Sequence, residues 1–256
     1  MELTPEILLL FSISFLANSL SAFAGGGAGL VQLPLLLFLG LPFPTALATH
    51  KLASVALGIG ASLRHFQGNQ IKKFLSAFIL FFGLPGVFAG SHIALLFPEK
   101  LALVFLGFLT CSLGIYSSMN SRFGVYTKEF VYTKFNLFFG GVVLFFIGFL
   151  NGSFSSGTGL FVTIWLVRWF SLSYTEAVSY TLIFVGLWWN GLGSLVLGLN
   201  GQIHWDWIPV LILGALIGGY VGAHFSLLKG NVLVKKFFEY VSLAIGASLI
   251  YRGFLQ

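Results

Sequence analysis

The sequence predicts an all-α integral membrane protein, and composition, a succession of apolar segments and an internal repeat support this fold class. Of the 256 residues, 57% are hydrophobic and only 8% are charged. The mean hydropathy is +0.97. An ordinary soluble domain carries roughly 25% charged residues. So few charges cannot cover a soluble globule, whereas a surface facing lipid needs no charges. We therefore expect a multi-pass protein whose main partner is the lipid bilayer.

The basic balance of the chain does not indicate a nucleic-acid partner. The 13 Lys and Arg residues, against 7 Asp and Glu, lie singly or in short groups between apolar runs. Such residues orient membrane helices, because basic loops stay on the cytoplasmic side. The lone cysteine, Cys111, is expected to pack as a small apolar residue. The sequence shows no Cys/His cluster, P-loop or catalytic serine motif, so we expect no metal, no cofactor and no enzyme activity.

The sequence contains ten apolar segments. One membrane crossing requires roughly 20 apolar residues in a helix. The second and the seventh are short. The polar stretch 120–134 is expected to be a cytoplasmic linker between two helical repeats, 1–119 and 135–256. The ten segments are predicted at Glu6–Phe23, Ala28–Leu41, Thr45–Arg64, Phe74–Phe97, Leu101–Met119, Phe135–Asn151, Gly157–Trp169, Thr175–Leu199, Trp207–Leu228 and Val232–Tyr251.

The two halves resemble each other at four places, in the same order and at nearly the same spacing. For example, Gly27-Ala-Gly29-Leu30 recurs as Gly157-Thr-Gly159-Leu160, and Gly90-Ser-His92 recurs as Gly222-Ala-His224. Glycine is common in membrane helices, so one match alone would be weak. Four ordered matches indicate a duplication.

The loop charges favour inverted repeats, with five crossings in each half. The loop from Arg64 to Lys73 is basic, but its counterpart from Asn200 to Asp206 contains no Lys or Arg. Corresponding loops would then lie on opposite sides of the membrane, as in inverted repeats. The alternative treats the short segments as re-entrant. It gives four spans in each half, eight in total, with parallel halves.

Two glycine-rich stretches, Ala24–Gly29 and Asn151–Gly159, each end one segment and open a short one. Backbone N–H groups at the start of a helix lack helical partners, and the helix dipole there favours negative charge. Paired interrupted segments at matching positions indicate the binding site of a transporter. The stretches therefore predict a cradle for a small anion. The alternative is that the glycines only allow close helix packing.

Polar residues in the segment that follows each break complete the candidate site. Lys51 is expected to be the counter-charge of the anion, because a cation inside a membrane segment is costly; snorkelling or pairing with a carbonyl is the alternative. His50 could carry a proton or donate to the substrate, or be a satisfied buried histidine. The predicted substrate-binding residues are Gly26, Gly27, Ala28, Gly29, Gln32, Thr49, His50, Lys51, Asn151, Ser153, Ser155, Ser156, Gly157, Thr158, Gly159, Ser179, Thr181 and Asn190.

The run Gly25–Leu30, the proline Pro34, Leu41-Pro42 and the run Ala48–Ser54 resemble the sulfite exporter TauE/SafE family, and the likeness extends through Asn151–Leu160. The resemblance implies a small duplicated membrane protein, usually counted as eight spans, in a bacterial or archaeal cytoplasmic membrane. It also implies passage of sulfite, organosulfonates such as sulfoacetate, or other small anions. The family often has Gly-Thr-Ser or Gly-Thr-Asn where Ala48-Thr49-His50 stands here.

We therefore expect a secondary transporter of a small anion, sulfite or an organosulfonate, that exports by alternating access. An anion channel, an uptake permease for organic or sulfur-containing acids, and a non-transporting membrane subunit are the alternatives. Assembly as a homo-oligomer stays open.

Overall fold

The structure, a computed structural model, describes residues 5–65, 71–96, 99–119, 133–155 and 157–255. All regular secondary structure in these ranges is helical, and six of the helices are long and apolar enough to cross a membrane. The predicted all-α integral membrane protein is thereby confirmed. The helices are α1 (Pro5–Ala24), α2 (Ala28–Phe38), α3 (Phe43–His65), α4 (Lys73–Ile93), α5 (Glu99–Met119), α6 (Lys134–Phe154), α7 (Thr158–Trp169), α8 (Tyr174–Tyr180), α9 (Asn190–Leu199) and α10 (Ile208–Leu255).

Two features complete the list of helical segments. A π-helix, Thr181–Trp189, joins α8 to α9, so that one continuous span runs over Tyr174–Leu199. Helix α10 is interrupted at Gly230, whose φ of 74° and ψ of 176° are not helical. The described residues therefore contain ten helical segments, within a few residues of the places where the sequence predicts them. Of the predicted linker 120–134, residues 120–132 lie outside the described residues.

Helices α2 and α7 are the short segments, with 11 and 12 residues. At about 1.5 Å per residue each is only about 17 Å long, roughly half the thickness of the hydrocarbon core. Each follows a break in which residues adopt positive φ angles that end the preceding helix. The breaks therefore place two helix N-termini inside the protein, away from either end of the long helices.

Glycines let the long helices of the two halves pack closely. On α10, Cβ atoms built on Gly218 and Gly222 would lie 2.5 and 2.2 Å from backbone oxygens of α1. On α4, a Cβ on Gly90 would lie 2.0 Å from the Phe149 oxygen of α6. Small residues of this kind allow backbones to approach in membrane proteins. The first helix of each half thus packs on the fourth segment of the other half.

Helix α3 runs antiparallel to the span Tyr174–Leu199. Near its start, Thr49 Oγ1 accepts from His204 N at 3.0 Å, beyond the end of that span. Just after its end, Lys72 N donates to Tyr180 Oη at 2.6 Å, near the start of that span. Lys72 and His204, which follow the two spans in the chain, therefore lie at opposite ends of the pair. This geometry supports inverted halves over parallel ones, while the repeat and its boundaries, 1–119 and 135–256, stay predictions.

Candidate functional site

The two glycine-rich breaks touch each other at the centre of the protein. Gly26 has a φ of 130°, and a Cβ built on it would lie 2.5 Å from the carbonyl carbon of Gly159. Next to this contact, Thr163 Oγ1 of α7 donates to the carbonyl of Gly25. Only glycine allows this approach at position 26, because any side chain would push the two backbones apart. The starts of α2 and α7 are thus brought together, as the binding-site prediction requires.

A small, partly open cavity of about 30 Å³ lies beside this contact. Its wall combines helix α1, the first break, α3, α6, the second break, the π-helix and α9. Of the predicted site residues, ten line it: Gly26, Gly27, Ala28, Gly29, His50, Asn151, Ser155, Gly159, Thr181 and Asn190. The other lining residues are Ser21, Ser54, Leu57, Leu182, Val185 and Gly186.

The first break leaves hydrogen-bond donors unused next to the cavity. The N–H groups of Gly25 and Gly26 both donate to the carbonyl of Ser21, at 2.9 and 2.8 Å. The N–H groups of Gly27 and Ala28 have no backbone acceptor among the described residues. The Ser21 hydroxyl is buried and has no hydrogen-bond partner there either. Because buried donors are normally paired, this part of the wall is suited to an acceptor-rich ligand.

In the second break, in contrast, Thr158 and Asn151 donate within the break itself. The backbone N–H of Thr158 donates to the carbonyl of Ser155 at 3.3 Å, and its hydroxyl donates to the same oxygen at 2.8 Å. The side-chain amide of Asn151 donates to Thr158 Oγ1 at 2.9 Å. Ser155 has a φ of 58° and Gly157 a φ of 73°. Side chains and a tight turn therefore hold this break in shape.

Lys51 fixes the end of α6 at the second break. Its Nζ donates to the backbone oxygen of Asn151 at 2.7 Å and lies 3.2 Å from Asn151 Oδ1. The lysine is fully buried, so its side chain does not snorkel to the surface. No carboxylate lies within 4.0 Å of Nζ among the side chains that the structure describes. The Lys51 amine, with no carboxylate beside it among the described side chains, therefore stands behind Asn151, which itself lines the cavity.

His50 lines the cavity and is held by a buried polar network. Its Nδ1 lies 3.0 Å from Gln32 Oε1. Gln32 Nε2 donates to Ser14 Oγ at 3.3 Å, and Asn18 Nδ2 lies 3.4 Å from Gln32 Oε1. Gln32 therefore supports His50 from behind and does not line the cavity.

Several predicted site residues are turned away from the cavity. Thr49 accepts from the loop after α9, and Ser153 donates to the carbonyls of Gly90 and Phe149. Ser179 donates to the carbonyl of Thr175. Together with these three, Gln32, Lys51, Gly157 and Thr158 are not lining residues. Ser156 lies outside the described residues.

Two polar residues that line the cavity were not predicted, although their spacing in the sequence could have identified them. Ser54 lies one helical turn after His50, and Ser21 lies one turn before the first break, at Gly25. Residues four apart share a helix face. The aliphatic lining residues carry no such signal, because they resemble every other apolar residue of their helices.

Comparison with known proteins supports the relationship suggested by the motifs. The sequence profile of the family described as sulfite exporter TauE/SafE matches residues 10–249. A probable membrane transporter protein of Haemophilus influenzae is 29% identical over 248 residues, which cover 95% of this chain and 94% of that protein. The probable membrane transporter protein YfcA of Escherichia coli K12 is 24% identical, with 95% and 89% covered. No solved structure matches the chain.

Proposed function

Because the chain belongs to the sulfite exporter TauE/SafE family, we propose that it is a secondary transporter of a small anion, sulfite or an organosulfonate such as sulfoacetate. The observation that carries the proposal is the meeting of two helix breaks beside a small cavity, with unpaired donors on one side and the buried Lys51 amine behind the other. The related proteins named probable membrane transporters are consistent with this proposal.

The anion would be held mainly by the first break. The N–H groups of Gly27 and Ala28 and the hydroxyl of Ser21 supply donors, and the dipole of α2 adds positive potential at the same place. Lys51 acts from behind Asn151, as a charge that offsets the anion without touching it. The side-chain amide of Asn190 completes the opposite wall, since its Oδ1 is 3.4 Å from the amide nitrogen of Asn151.

Transport would follow from rocking one set of helices against the other around this central site. In a bacterial or archaeal cytoplasmic membrane, negative inside, an anion that moves alone is driven outward by about 2.3 kcal/mol per charge and 100 mV. A carrier without a coupling ion would therefore export.

Reconstitution of the purified chain alone in liposomes tests this function. Sulfite, sulfoacetate, sulfate and small carboxylates would be offered in turn, and uptake of labelled anion would be measured with protein-free liposomes as control. We expect saturable flux of a sulfur-containing anion that is accelerated by unlabelled anion on the other side. Flux without saturation or counter-transport would indicate a channel, and no flux of any of these anions would contradict the proposal.

A further inference from the structure

One titratable side chain, His50, lines the cavity among the described residues. The remaining lining residues are glycine, alanine, serine, threonine, asparagine and aliphatic side chains, none of which changes charge near neutral pH. The imidazole is buried, with 1% of its surface exposed. A proton bound inside the cavity would therefore have to be bound by this ring.

The hydrogen bonds around His50 assign its tautomer. Ser14 Oγ donates to the carbonyl of Leu211 at 2.7 Å, so this hydroxyl has only lone pairs left for Gln32 Nε2. Gln32 consequently turns its Oε1 towards His50 Nδ1, 3.0 Å away. An amide oxygen only accepts, so Nδ1 carries the hydrogen. The neutral ring therefore has a bare Nε2.

The bare nitrogen is the one that Gln32 does not contact, on a ring that lines the cavity. Its one described protein contact is Ser54 Oγ, which lies 3.4 Å from both Nε2 and Nδ1. In the neutral ring, Nε2 presents a lone pair to any anion in the cavity. After it binds a proton, the same nitrogen presents an N–H donor and a positive charge. An anion is thus repelled by the neutral ring and attracted by the protonated one.

Lys51 makes the two binding events depend on each other. It is the charged group nearest to His50 in the chain, and its cation opposes a second positive charge on the ring while the cavity is empty. The groups that bond to His50 or line the cavity with it are neutral. They are Ser54 on its own helix α3, and Ser21 of α1, Gln32 of α2, Asn151 of α6, Thr181 of the π-helix and Asn190 of α9. A bound anion would offset both cations, so anion and proton stabilise each other, and this coupling is reciprocal.

We propose that the protein binds one proton on His50 together with each anion, and that it moves the two together across the membrane. This inference rests on the transport function proposed above and adds its coupling ion. It changes what drives transport, because a proton offsets one negative charge of the anion. Flux would then follow the combined gradients of anion and proton, and a monovalent anion would be moved without net charge. The proton enters and leaves as a proton, so no bond of the anion is made or broken.

Proteoliposomes with a trapped pH indicator and a membrane potential clamped by potassium and valinomycin would test the coupling. They would receive an inward gradient of sulfoacetate, whose two acidic groups are ionised near neutral pH and bring no proton of their own. The wild-type protein should acidify the lumen by about one proton per anion. His50→Gln keeps a donor but cannot titrate, so this ratio should fall to about zero. His92→Gln, which changes an exposed histidine on α4, should keep the wild-type ratio.

A second measurement covers the case in which His50→Gln transports nothing. In weakly buffered detergent solution, adding sulfoacetate should draw a proton onto the wild-type and His92→Gln proteins but not onto His50→Gln. Transport of sulfoacetate with an unchanged luminal pH would overturn the coupling and leave the proposed function intact. Proton uptake by His50→Gln equal to that of the wild type would also overturn it. If none of the anions tested moves, the proposed function fails and the coupling fails with it.

Discussion

The two helix breaks that meet at the cavity are alike in sequence but differ in how they use their hydrogen-bond donors. The first break contains Gly25, Gly26 and Gly27, all with positive φ, and leaves the N–H groups of Gly27 and Ala28 and the Ser21 hydroxyl without a partner among the described residues. The second break contains serine and threonine, but the side chains of Thr158 and Asn151 donate to other groups of the same break and thereby hold its shape. The second break, which is rich in hydroxyls, thus has mainly a structural role. The first break, which has almost no hydroxyls, supplies the donors for a ligand.

The largest expected effect comes from pushing the two breaks apart with Gly26→Ala. The new Cβ would meet the Gly159 backbone, and the positive φ would be strained, at a combined cost of about 3 kcal/mol. We expect transport in liposomes to fall by about a hundredfold or more. Gly191→Ala is the matched control, since its Cβ would find only one atom, 3.9 Å away. Equal transport by the two variants would show that the contact between the breaks is not needed.

Removing the cation behind the second break should have the next largest effect. Lys51→Met removes the bond from Nζ to the buried Asn151 carbonyl, which keeps only its bond from the Ser155 N–H, at about 1–3 kcal/mol of folding stability. It also removes positive potential worth on the order of 1 kcal/mol to the anion, so affinity should fall by about tenfold. Thermal unfolding and equilibrium binding would measure the two losses. Lys73→Met, at an exposed cation that opens α4, should change neither. Normal transport by Lys51→Met would remove Lys51 from the site.

A smaller effect is expected from two serine variants that compare the roles of the two breaks directly. Ser21→Ala removes a donor that has no protein partner, so anion affinity should weaken by about three- to tenfold while stability stays unchanged. Ser153→Ala, near the second break, removes a hydroxyl that bonds to α4 and α6. It should lower the melting temperature without changing affinity. If Ser153→Ala weakened anion binding and Ser21→Ala lowered only the melting temperature, the assignment of donors to the first break would be wrong.

Labelling of the loops probes the arrangement of the halves without altering the site. Cysteines would replace the exposed Lys73 and Asp206, one at a time, in a chain carrying Cys111→Ser. Because these positions lie at opposite ends of the antiparallel pair formed by α3 and the span Tyr174–Leu199, an impermeant thiol reagent added to intact cells should label only one of them. Labelling of both from the same side would restore the parallel arrangement of eight spans.

The sequence was sufficient for the helical segments and for the breaks, because both follow from local rules. Apolar runs of sufficient length form membrane helices, and clustered glycines end them. Among the described residues, the ten segments and both breaks accordingly lie within a few residues of their predicted places, although α6 continues through Asn151 to Phe154. The π-helix Thr181–Trp189 was not predicted, since its apolar sequence contains no feature that separates it from an α-helix.

The sequence was less informative about which side chains reach the cavity. Ser153 and Ser179 donate to carbonyls four residues earlier, an option open to any serine in a helix. Lys51 could be placed inside the membrane, but its bond to Asn151, 100 residues away, depends on how α3 and α6 pack. Ser21 was missed because its importance comes from having no partner, which only the assembled structure reveals.

The central claim, that the first break presents its donors to an anion in the shared cavity, is tested most directly by chemical protection at position 21. In a chain carrying Cys111→Ser, Ser21→Cys would be treated with a thiosulfonate reagent that bears a sulfonate group, with and without sulfoacetate. We predict that sulfoacetate slows the modification by on the order of tenfold at about ten times its Kd. The rate at which Ser153→Cys, in the second break, is modified should not change when sulfoacetate is added. A rate at position 21 that does not respond to sulfoacetate, in a protein that transports it, would contradict the account.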